Sequence, residues 1–432
     1  MAVMTGTSIE PSSATPTAWT VGAKPSNEPT RGRAERTDVD AEWAIDADGS
    51  REPGSNNASS SSSVTGAWRP GDLPGNRQFA QLGALHLESG AVLPQVHLAY
   101  ETWGQLNADR SNAVLVLHAL TGDSHVCGPA GPGHPSEGWW PSVVGPGRPI
   151  DTEHWFVIAA NVLGGCQGST GPSSPGLDGR PWGSRFPSLT IRDQVAAEIA
   201  LADHLGIDSF ALVIGGSMGG MRAVEWAVTV PHRVQRLVLT ATGARASADQ
   251  IAWNSAQVAA IHADPGFAGG DYYDHALGGG PHTGLGIARR IAHTTYRAAD
   301  QLEERFGNQA QHGEDPLHGT GRHQVTSYLD HHADKLIRRF DANSYLVLVR
   351  AMNTHDVGRD RGGLEEALGR IRARTLAISF DSDRLFPPAM ATRMAQAIPG
   401  AHEHLASSPV GHDAFLLPHP DVEQWVRDFL GS

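Results

Sequence analysis

The chain has 432 residues, a length that accommodates a large α/β domain with an insertion better than one small domain. Its 33 lysines and arginines against 46 aspartates and glutamates give a formal net charge of −13, and no run of basic residues occurs. An acidic chain without a basic patch is not expected to bind nucleic acid.

No apolar stretch approaches the roughly 20 residues that a membrane-spanning helix needs, and the N-terminus lacks the charged and apolar regions of a signal peptide. The two cysteines, Cys127 and Cys166, belong to no C-x-x-C pair. They therefore indicate neither a disulfide framework nor a zinc site, which suits a reducing compartment. We expect a cytoplasmic protein without a membrane anchor.

Residues 1–70 differ in composition from the rest of the chain. They are rich in Ser, Thr, Pro, Gly and Asn, and Ser59 to Ser63 are five consecutive serines. Such a segment cannot bury enough apolar surface to offset the entropy lost on ordering. We expect a disordered N-terminal extension without a catalytic role.

After residue 71, apolar runs of strand length alternate with helical spacing. An antiparallel pair is predicted first, then four buried strands with a helix among them: strands 82–87, 92–100, 113–117, 155–162, 210–214 and 234–240, and a helix at 191–205. This alternation predicts a mostly parallel sheet covered by helices on both faces. The Gly- and Pro-rich loops after residues 117 and 162 are long enough to be functional.

The alternation of strands and helices stops near residue 246. From there to residue 365 the sequence is largely polar with helical spacing, and the next convincing strand is Arg374 to Ser379. An insertion of this size after a middle strand is typical of a helical cap over an active site. We expect 71–245 and 366–432 to form the core and 246–365 to form the cap.

A glycine-flanked serine lies between a predicted strand and a predicted helix, in the sequence Gly215-Gly216-Ser217-Met218-Gly219. This strand–GxSxG–helix pattern predicts the nucleophile elbow of an α/β-hydrolase fold, with Ser217 as the nucleophile. A phosphate-binding loop would need Lys followed by Ser or Thr after the last glycine, and a dinucleotide-binding loop would need a glycine at position 217.

A serine hydroxyl needs a base and an orienting acid to act as a nucleophile. In this fold the acid and then the histidine follow the serine along the chain. Asp383 comes just after the predicted strand that ends at Ser379, and His412 follows near the C-terminus. Asp381 is a rival for the acid, because only its position relative to the strand end separates it from Asp383.

The oxyanion hole of such an enzyme uses the amide after the nucleophile and one from the loop after an earlier strand. These criteria indicate the backbone N–H groups of Met218 and Leu120. His118, at the end of the earlier strand, is interpreted as structural.

Two pairs of neighbouring histidines could suggest a metal site. They lack the spacing of a helical zinc pair and have no evident carboxylate partner, so we expect solvated side chains and no metal centre. The histidines are His331, His332, His402 and His404.

Longer motifs carry a resemblance that covers about residues 75 to 430. They are L-P-Q-V-H-L-A-Y-E-T-W-G at 93–104, H-A-L-T-G-D-S-H at 118–125, N-V-L-G-G-C-Q-G-S-T-G-P at 161–172, G-G-S-M-G-G-M at 215–221, S-D-R-L-F-P at 382–387 and G-H-D-A-F-L at 411–416. Together they resemble the homoserine O-acetyltransferase family of methionine biosynthesis.

The resemblance implies an α/β-hydrolase core with a helical cap, a homodimer formed through the cap, and the triad Ser217, Asp383 and His412. The family's substrate-binding arginine lies in the motif A-R-x-x-x-H-x-T-Y-R, which places it at Arg289. The aspartate after the catalytic histidine, also substrate-binding in the family, is Asp413. Acetyl-CoA would be a co-substrate, and no bound cofactor is implied.

These expectations give a ping-pong transfer of an acetyl group from acetyl-CoA to the hydroxyl of L-homoserine. Three alternatives stay open. The protein could be an esterase or thioesterase with water as acceptor, because one fold hosts many activities. It could use succinyl-CoA or serine instead of the expected substrates. An inactive binding protein on the same fold is disfavoured by the intact set of candidate residues.

Overall fold

A computed structural model of the chain describes residues 63–431. Most of the predicted extension, residues 1–62, lies outside the described residues, whereas residues 63–70 are described. Val64 and Thr65 are buried, and the Thr65 hydroxyl donates a hydrogen bond to the Asp341 carboxylate at 2.8 Å. The packed structure thus begins before the predicted boundary at residue 71. Composition missed this because the segment is anchored by hydrogen bonds to a distant part of the chain.

The strands form one large sheet and a separate short pair, β4–β5. The large sheet has the order β1-β2-β6-β3-β7-β8-β9-β10; β1, β2 and β6 are antiparallel neighbours, and every other pair is parallel. The strands are β1 Gln78–His86, β2 Val92–Trp103, β3 Ala113–Leu117, β4 Val144–Gly145, β5 Ile150–Asp151, β6 Phe156–Ala160, β7 Leu212–Gly216, β8 Arg236–Thr240, β9 Arg374–Phe380 and β10 His402–Ala406. The predicted antiparallel pair and mostly parallel sheet are confirmed.

The helices cover the sheet and fill the long segment between β8 and β9. They are α1 Ile191–His204, α2 Met218–Thr229, α3 Ala248–His262, α4 His282–Tyr296, α5 Ala299–Phe306, α6 Gln324–Ile337, α7 Ala342–Asn353, α8 Leu364–Leu368, α9 Pro388–Ala397 and α10 Pro420–Gly431. Among these described helices, none is both long and apolar enough to cross a bilayer.

The central strand β3 shows why its sequence is continuously apolar. Leu115 and Leu117 belong to the hydrophobic cluster that includes α1 and α2, whereas Val114 and Val116 belong to the cluster that includes α10. Successive side chains of a strand point to opposite faces, so a strand covered on both sides is apolar at every position. The carboxyl end of this strand leads to the loop that begins at His118.

Six helices, α3 to α8, lie between β8 and β9, and the described residues there form no strand beyond isolated bridges. α4 packs between α3 and α6. Gly284 permits the close approach to α3, because a Cβ at this position would lie 2.6 Å from the carbonyl oxygen of Ala260. This helix extends towards the carboxyl edge of the sheet, where its last turn meets the candidate site.

Candidate active site

Ser217 connects β7 to α2 in a strained conformation, with φ 56° and ψ −125°. A residue with a Cβ rarely adopts a positive φ, and such strain persists where the surroundings hold it. Its amide donates to the carbonyl of Thr240 at 3.2 Å, and the Thr242 hydroxyl donates to its carbonyl at 2.8 Å. A Cβ at Gly219 would lie 2.0 Å from the Leu117 carbonyl oxygen, so this position of the turn requires glycine.

The three predicted side chains meet at the carboxyl edge of the sheet. The His412 Nε2 lies 3.0 Å from the Ser217 Oγ, and its Nδ1 lies 2.7 Å from the Asp383 Oδ2. All three residues are at most 5% exposed. A carboxylate can only accept, so the proton lies on Nδ1 and the Nε2 lone pair faces the serine hydroxyl. This arrangement can remove the serine proton and return it to a leaving group.

The orientation of Asp383 is fixed by the backbone. Its Oδ1 accepts hydrogen bonds from the amides of Leu385 and Phe386, at 2.9 and 2.8 Å. The rival Asp381 instead accepts from the Ser408 amide at 2.9 Å and from the Ser407 hydroxyl at 2.8 Å. Of the two candidates, the geometry therefore selects Asp383 as the partner of the histidine.

The surroundings of His412 adjust its basicity. Burial disfavours the imidazolium, but the charge of Asp383 and the hydrogen bond to it outweigh burial, so the pKa is raised above the ordinary value of 6.5. Phe386 stacks on the imidazole with ring centroids 5.1 Å apart, and the Tyr296 ring lies 5.8 Å away on another side. The base is thus held between aromatic rings that limit its contact with water.

The loop after β3 carries the predicted second oxyanion donor, Leu120. His118 shapes this loop: its Nε2 accepts from the Val162 amide at 3.0 Å, and its Nδ1 donates to the Ala119 carbonyl at 2.7 Å. Burial and the charge of Arg222 hold the pKa of His118 well below its ordinary value, so the ring is neutral. These contacts support the structural interpretation of His118. The other predicted donor, Met218, is the first residue of α2, where backbone amides have no acceptor within the helix.

Arg222 is a residue whose contribution the sequence did not reveal. It lies on α2 with no exposed surface, forms an ion pair with Glu198 of α1, and donates through Nη2 to the His118 carbonyl at 2.5 Å. The Trp226 indole donates to the second oxygen of Glu198 at 2.8 Å. The available signal was a charged residue on a helix whose residues are mostly small or apolar, with Glu225 as the other charged position. The network joins the helix that follows the nucleophile to the loop of Leu120.

Of the two predicted substrate-binding residues, Asp413 is adjacent to His412 in the chain and Arg289 is linked to His412 through the ring of Tyr296. Arg289, on α4, has its guanidinium 5.6 Å from the centre of the Tyr296 ring and donates to the Thr121 hydroxyl at 3.4 Å. Its Nε is buried and has no hydrogen-bond acceptor among the described residues, which suits binding of a carboxylate. Asp413 follows His412 directly, and its Oδ2 lies 3.3 Å from the Nε of Arg297.

One of the histidines expected to be solvated is buried. His332, on α6, is 4% exposed and stacks on His293 of α4 with centroids 4.0 Å apart. Burial and the charge of Arg289 lower its pKa to about 2, so it is neutral. The prediction for His332 was wrong because neighbouring helical positions point in different directions, and of this adjacent pair it is His331 that faces solvent.

One group of the described residues has the composition of a metal site: Glu101, His125 and His134. The His134 Nε2 accepts the Asn76 amide hydrogen at 2.9 Å, so its lone pair is occupied. The two imidazoles are stacked, 3.9 Å apart and 13° from parallel, so their in-plane lone pairs cannot converge on one ion. The His125 Nδ1 is 3.0 Å from the Glu101 carboxylate. This group fits a buried hydrogen-bonded network and does not fit a metal centre.

Comparisons with known proteins agree with this geometry. A family model described as the alpha/beta hydrolase fold matches residues 112–418. The homoserine O-acetyltransferase of Thermobifida fusca is 61% identical over 371 residues, covering 85% of this chain and 97% of that protein. That of Clavibacter michiganensis is 55% identical and covers 85% and 96%.

Two crystal structures extend the comparison. The homoserine O-acetyltransferase from Bacillus anthracis matches with a TM-score of 0.76 and 27% identity, over 82% of this chain and 97% of that one. Esterase E22 matches with a TM-score of 0.74 and 28% identity, over 82% and 99%. On the strength of the family model and the similarity to the first two relatives, the chain belongs to the homoserine O-acetyltransferase family of the α/β-hydrolase fold.

Proposed function

We propose that the protein transfers an acetyl group from acetyl-CoA to the hydroxyl of L-homoserine in methionine biosynthesis. The observation that carries the proposal is the hydrogen-bonded chain from Ser217 through His412 to Asp383. The names of the relatives at 55–61% identity supply the acceptor and the acetyl group. Acetyl-CoA as the donor is our own inference.

In the first half-reaction, Ser217 Oγ attacks the thioester carbonyl while His412 Nε2 takes the hydroxyl proton. The amides of Leu120 and Met218 would stabilise the negative oxygen, a contribution of about 3–4 kcal/mol per donor. The carbon–sulfur bond then breaks, and the imidazolium gives its proton to the departing thiolate. Coenzyme A leaves and an acetyl ester remains on Ser217.

In the second half-reaction, homoserine enters the same site. His412 removes the proton of its hydroxyl, and the oxygen attacks the acetyl ester. The bond to Ser217 breaks, and the serine oxygen recovers the proton from His412. Arg289 would pair with the substrate carboxylate and Asp413 with its ammonium group, so the hydroxyl is the group left to react.

Hydrolysis is the second candidate, because a named esterase shares the fold over 82% of the chain. Incubation with acetyl-CoA alone should yield an acetyl adduct on Ser217 under fast quenching. Homoserine should then accelerate coenzyme A release and itself become acetylated. Coenzyme A release that is unaffected by homoserine would contradict the transferase and favour the hydrolase.

The identity of both substrates can be tested in one crossed assay. We expect acetyl-CoA with homoserine to be faster than any combination that contains succinyl-CoA or serine. A faster reaction with succinyl-CoA would overturn the choice of donor, and a faster reaction with serine would overturn the choice of acceptor.

We also propose a cytoplasmic homodimer, with residues 246–365 as a cap that carries the interface. In support, α3 and α4 expose Ile251 and Ile287, which are 39% and 41% accessible in the single chain. Sedimentation of the purified protein tests the assembly, and a monomer at micromolar concentration would contradict it.

A further inference from the structure

The end of α4 contacts the loop of the candidate base through backbone atoms. The Ala298 amide donates to the Val410 carbonyl at 3.1 Å. Gly411 has a φ of 92°, and a Cβ there would lie 2.6 Å from the Ala298 nitrogen and 2.9 Å from the Tyr296 carbonyl oxygen. Only glycine fits this contact. The segment that follows α4 is therefore in a fixed position relative to the residues that follow Gly411.

Arg297 extends this contact with a buried ion pair. Its Nε lies 3.3 Å from the Asp413 Oδ2, and the two side chains are 5% and 15% exposed. Nearby on α4 and α6, His293 and His332 are buried and their pKa values are lowered, so both are neutral. Asp413 thus has a cationic partner that is itself buried, and this ion pair engages one of its two carboxylate oxygens.

We infer that Arg297 is a positioning residue for the acceptor: it holds one oxygen of Asp413 so that the other is aimed at the substrate's ammonium group. The inference rests on the proposed function and deepens it, because it assigns the preference for an amino-acid acceptor to a residue outside the catalytic set. A carboxylate held in this way is preorganised to bind a cation. Without Arg297, the Asp413 carboxylate is free to rotate away from the ammonium group.

The test uses an acceptor that lacks only the ammonium group. 4-Hydroxybutanoate keeps the carboxylate and the hydroxyl of homoserine. In Arg297→Met we expect the KM for homoserine to rise about 10- to 100-fold, since the buried ion pair that orients Asp413 towards the ammonium group is lost. The kcat/KM for 4-hydroxybutanoate and the rate of the acetyl-CoA half-reaction should stay within about threefold of the wild type.

Arg290→Met is the matched control. Arg290 lies on the same helix and also pairs with an aspartate, Asp330, but this pair is partly exposed. In Arg290→Met the KM for homoserine and the rate of the acetyl-CoA half-reaction should equal those of the wild type. Arg297→Lys keeps a charge without the planar guanidinium, so it should fold and give an intermediate KM for homoserine.

Each outcome has a defined meaning. Equal losses with both acceptors, or a slower acetyl-CoA half-reaction, would make Arg297 a purely structural contact and overturn the inference. An unchanged KM for homoserine in both Arg297 variants would overturn it as well. Failure of the wild-type protein to acetylate homoserine would instead contradict the proposed function. That result comes from the wild-type assay alone, so it is distinguishable from a result that concerns only the Arg297 variants.

Discussion

Replacing Arg222 by methionine should separate the stability of the fold from the chemistry of the site. The substitution leaves Glu198 buried with no exposed surface and without its ionic partner. Removing one partner of a buried ion pair destabilises a protein by about 3–5 kcal/mol. At about 2.1 cal/mol/K of unfolding entropy per residue, a domain of roughly 370 residues loses about 1.3 °C per kcal/mol, so the melting temperature should fall by roughly 4–6 °C.

The same substitution also removes the donor to the His118 carbonyl. The loop that carries the Leu120 amide then loses its link to α2. Since loss of one oxyanion donor lowers kcat by about 10²–10³, acetylation of Ser217 should slow by a factor between about ten and that limit. The KM for homoserine should change less than the rate of acetylation, because among the described residues the only hydrogen bond of the two acceptor-binding residues with this loop is the one from Arg289 to Thr121, at 3.4 Å.

Two further variants complete the experiment. In Glu198→Gln the donor to His118 is kept, so the rate should stay near that of the wild type while stability falls. In Arg222→Met combined with Glu198→Gln, neither position of the pair carries a charge, so stability should recover while the rate stays low. Chemical denaturation and the burst of coenzyme A release measure the two quantities. A double variant that is both stable and fully active would refute the reasoning.

Three other outcomes follow from the site. Asp383→Asn should lower kcat by about 10⁴, because the histidine loses the partner that fixes its tautomer, whereas Asp381→Asn should change kcat by less than about threefold; equal effects would contradict the assignment of the acid. The raised pKa of His412 places the acid limb of kcat/KM above pH 6.5, since the base must be neutral and protonates as the pH falls; a midpoint below that value in a pH–rate profile would contradict the stated electrostatics. Gly219→Ala should abolish acetylation of Ser217, measured by mass spectrometry, since its Cβ would overlap the Leu117 carbonyl; an active, folded variant would show that the turn can relax.

Much of the fold was predictable because the spacing of apolar residues along the chain matches the faces that each element buries in the folded protein. The apolar run at 113–117 is the strand β3 Ala113–Leu117, and the helix predicted at 191–205 is α1 Ile191–His204. Both elements are covered by neighbours over their whole length, so periodicity alone specifies them. The elbow was equally clear, since a strained serine between a strand and a helix requires small residues at fixed positions.

What the sequence could not provide was pairing between distant residues. Nothing local to Arg222 indicates that its partners are Glu198 and the His118 carbonyl, because tertiary packing brings the three elements together. The burial of His332 likewise depends on the face that α6 turns towards α4. Buried charges and neutral buried histidines are consequences of the assembled structure.

The groups that would handle the acceptor and the groups that would break the thioester belong to different parts of the chain. Ser217, Asp383 and His412 follow strands of the sheet, whereas Arg289 and Arg297 lie eight residues apart on one inserted helix and its end. A turn of about 100° per residue means that shifting this helix by a single position would carry its arginine out of the pocket. The residues that follow the strands would still form an acyl ester on Ser217, but water would then be the acceptor that hydrolyses it. A transferase and an esterase can thus share the same catalytic triad and differ in which residue α4 presents to the pocket.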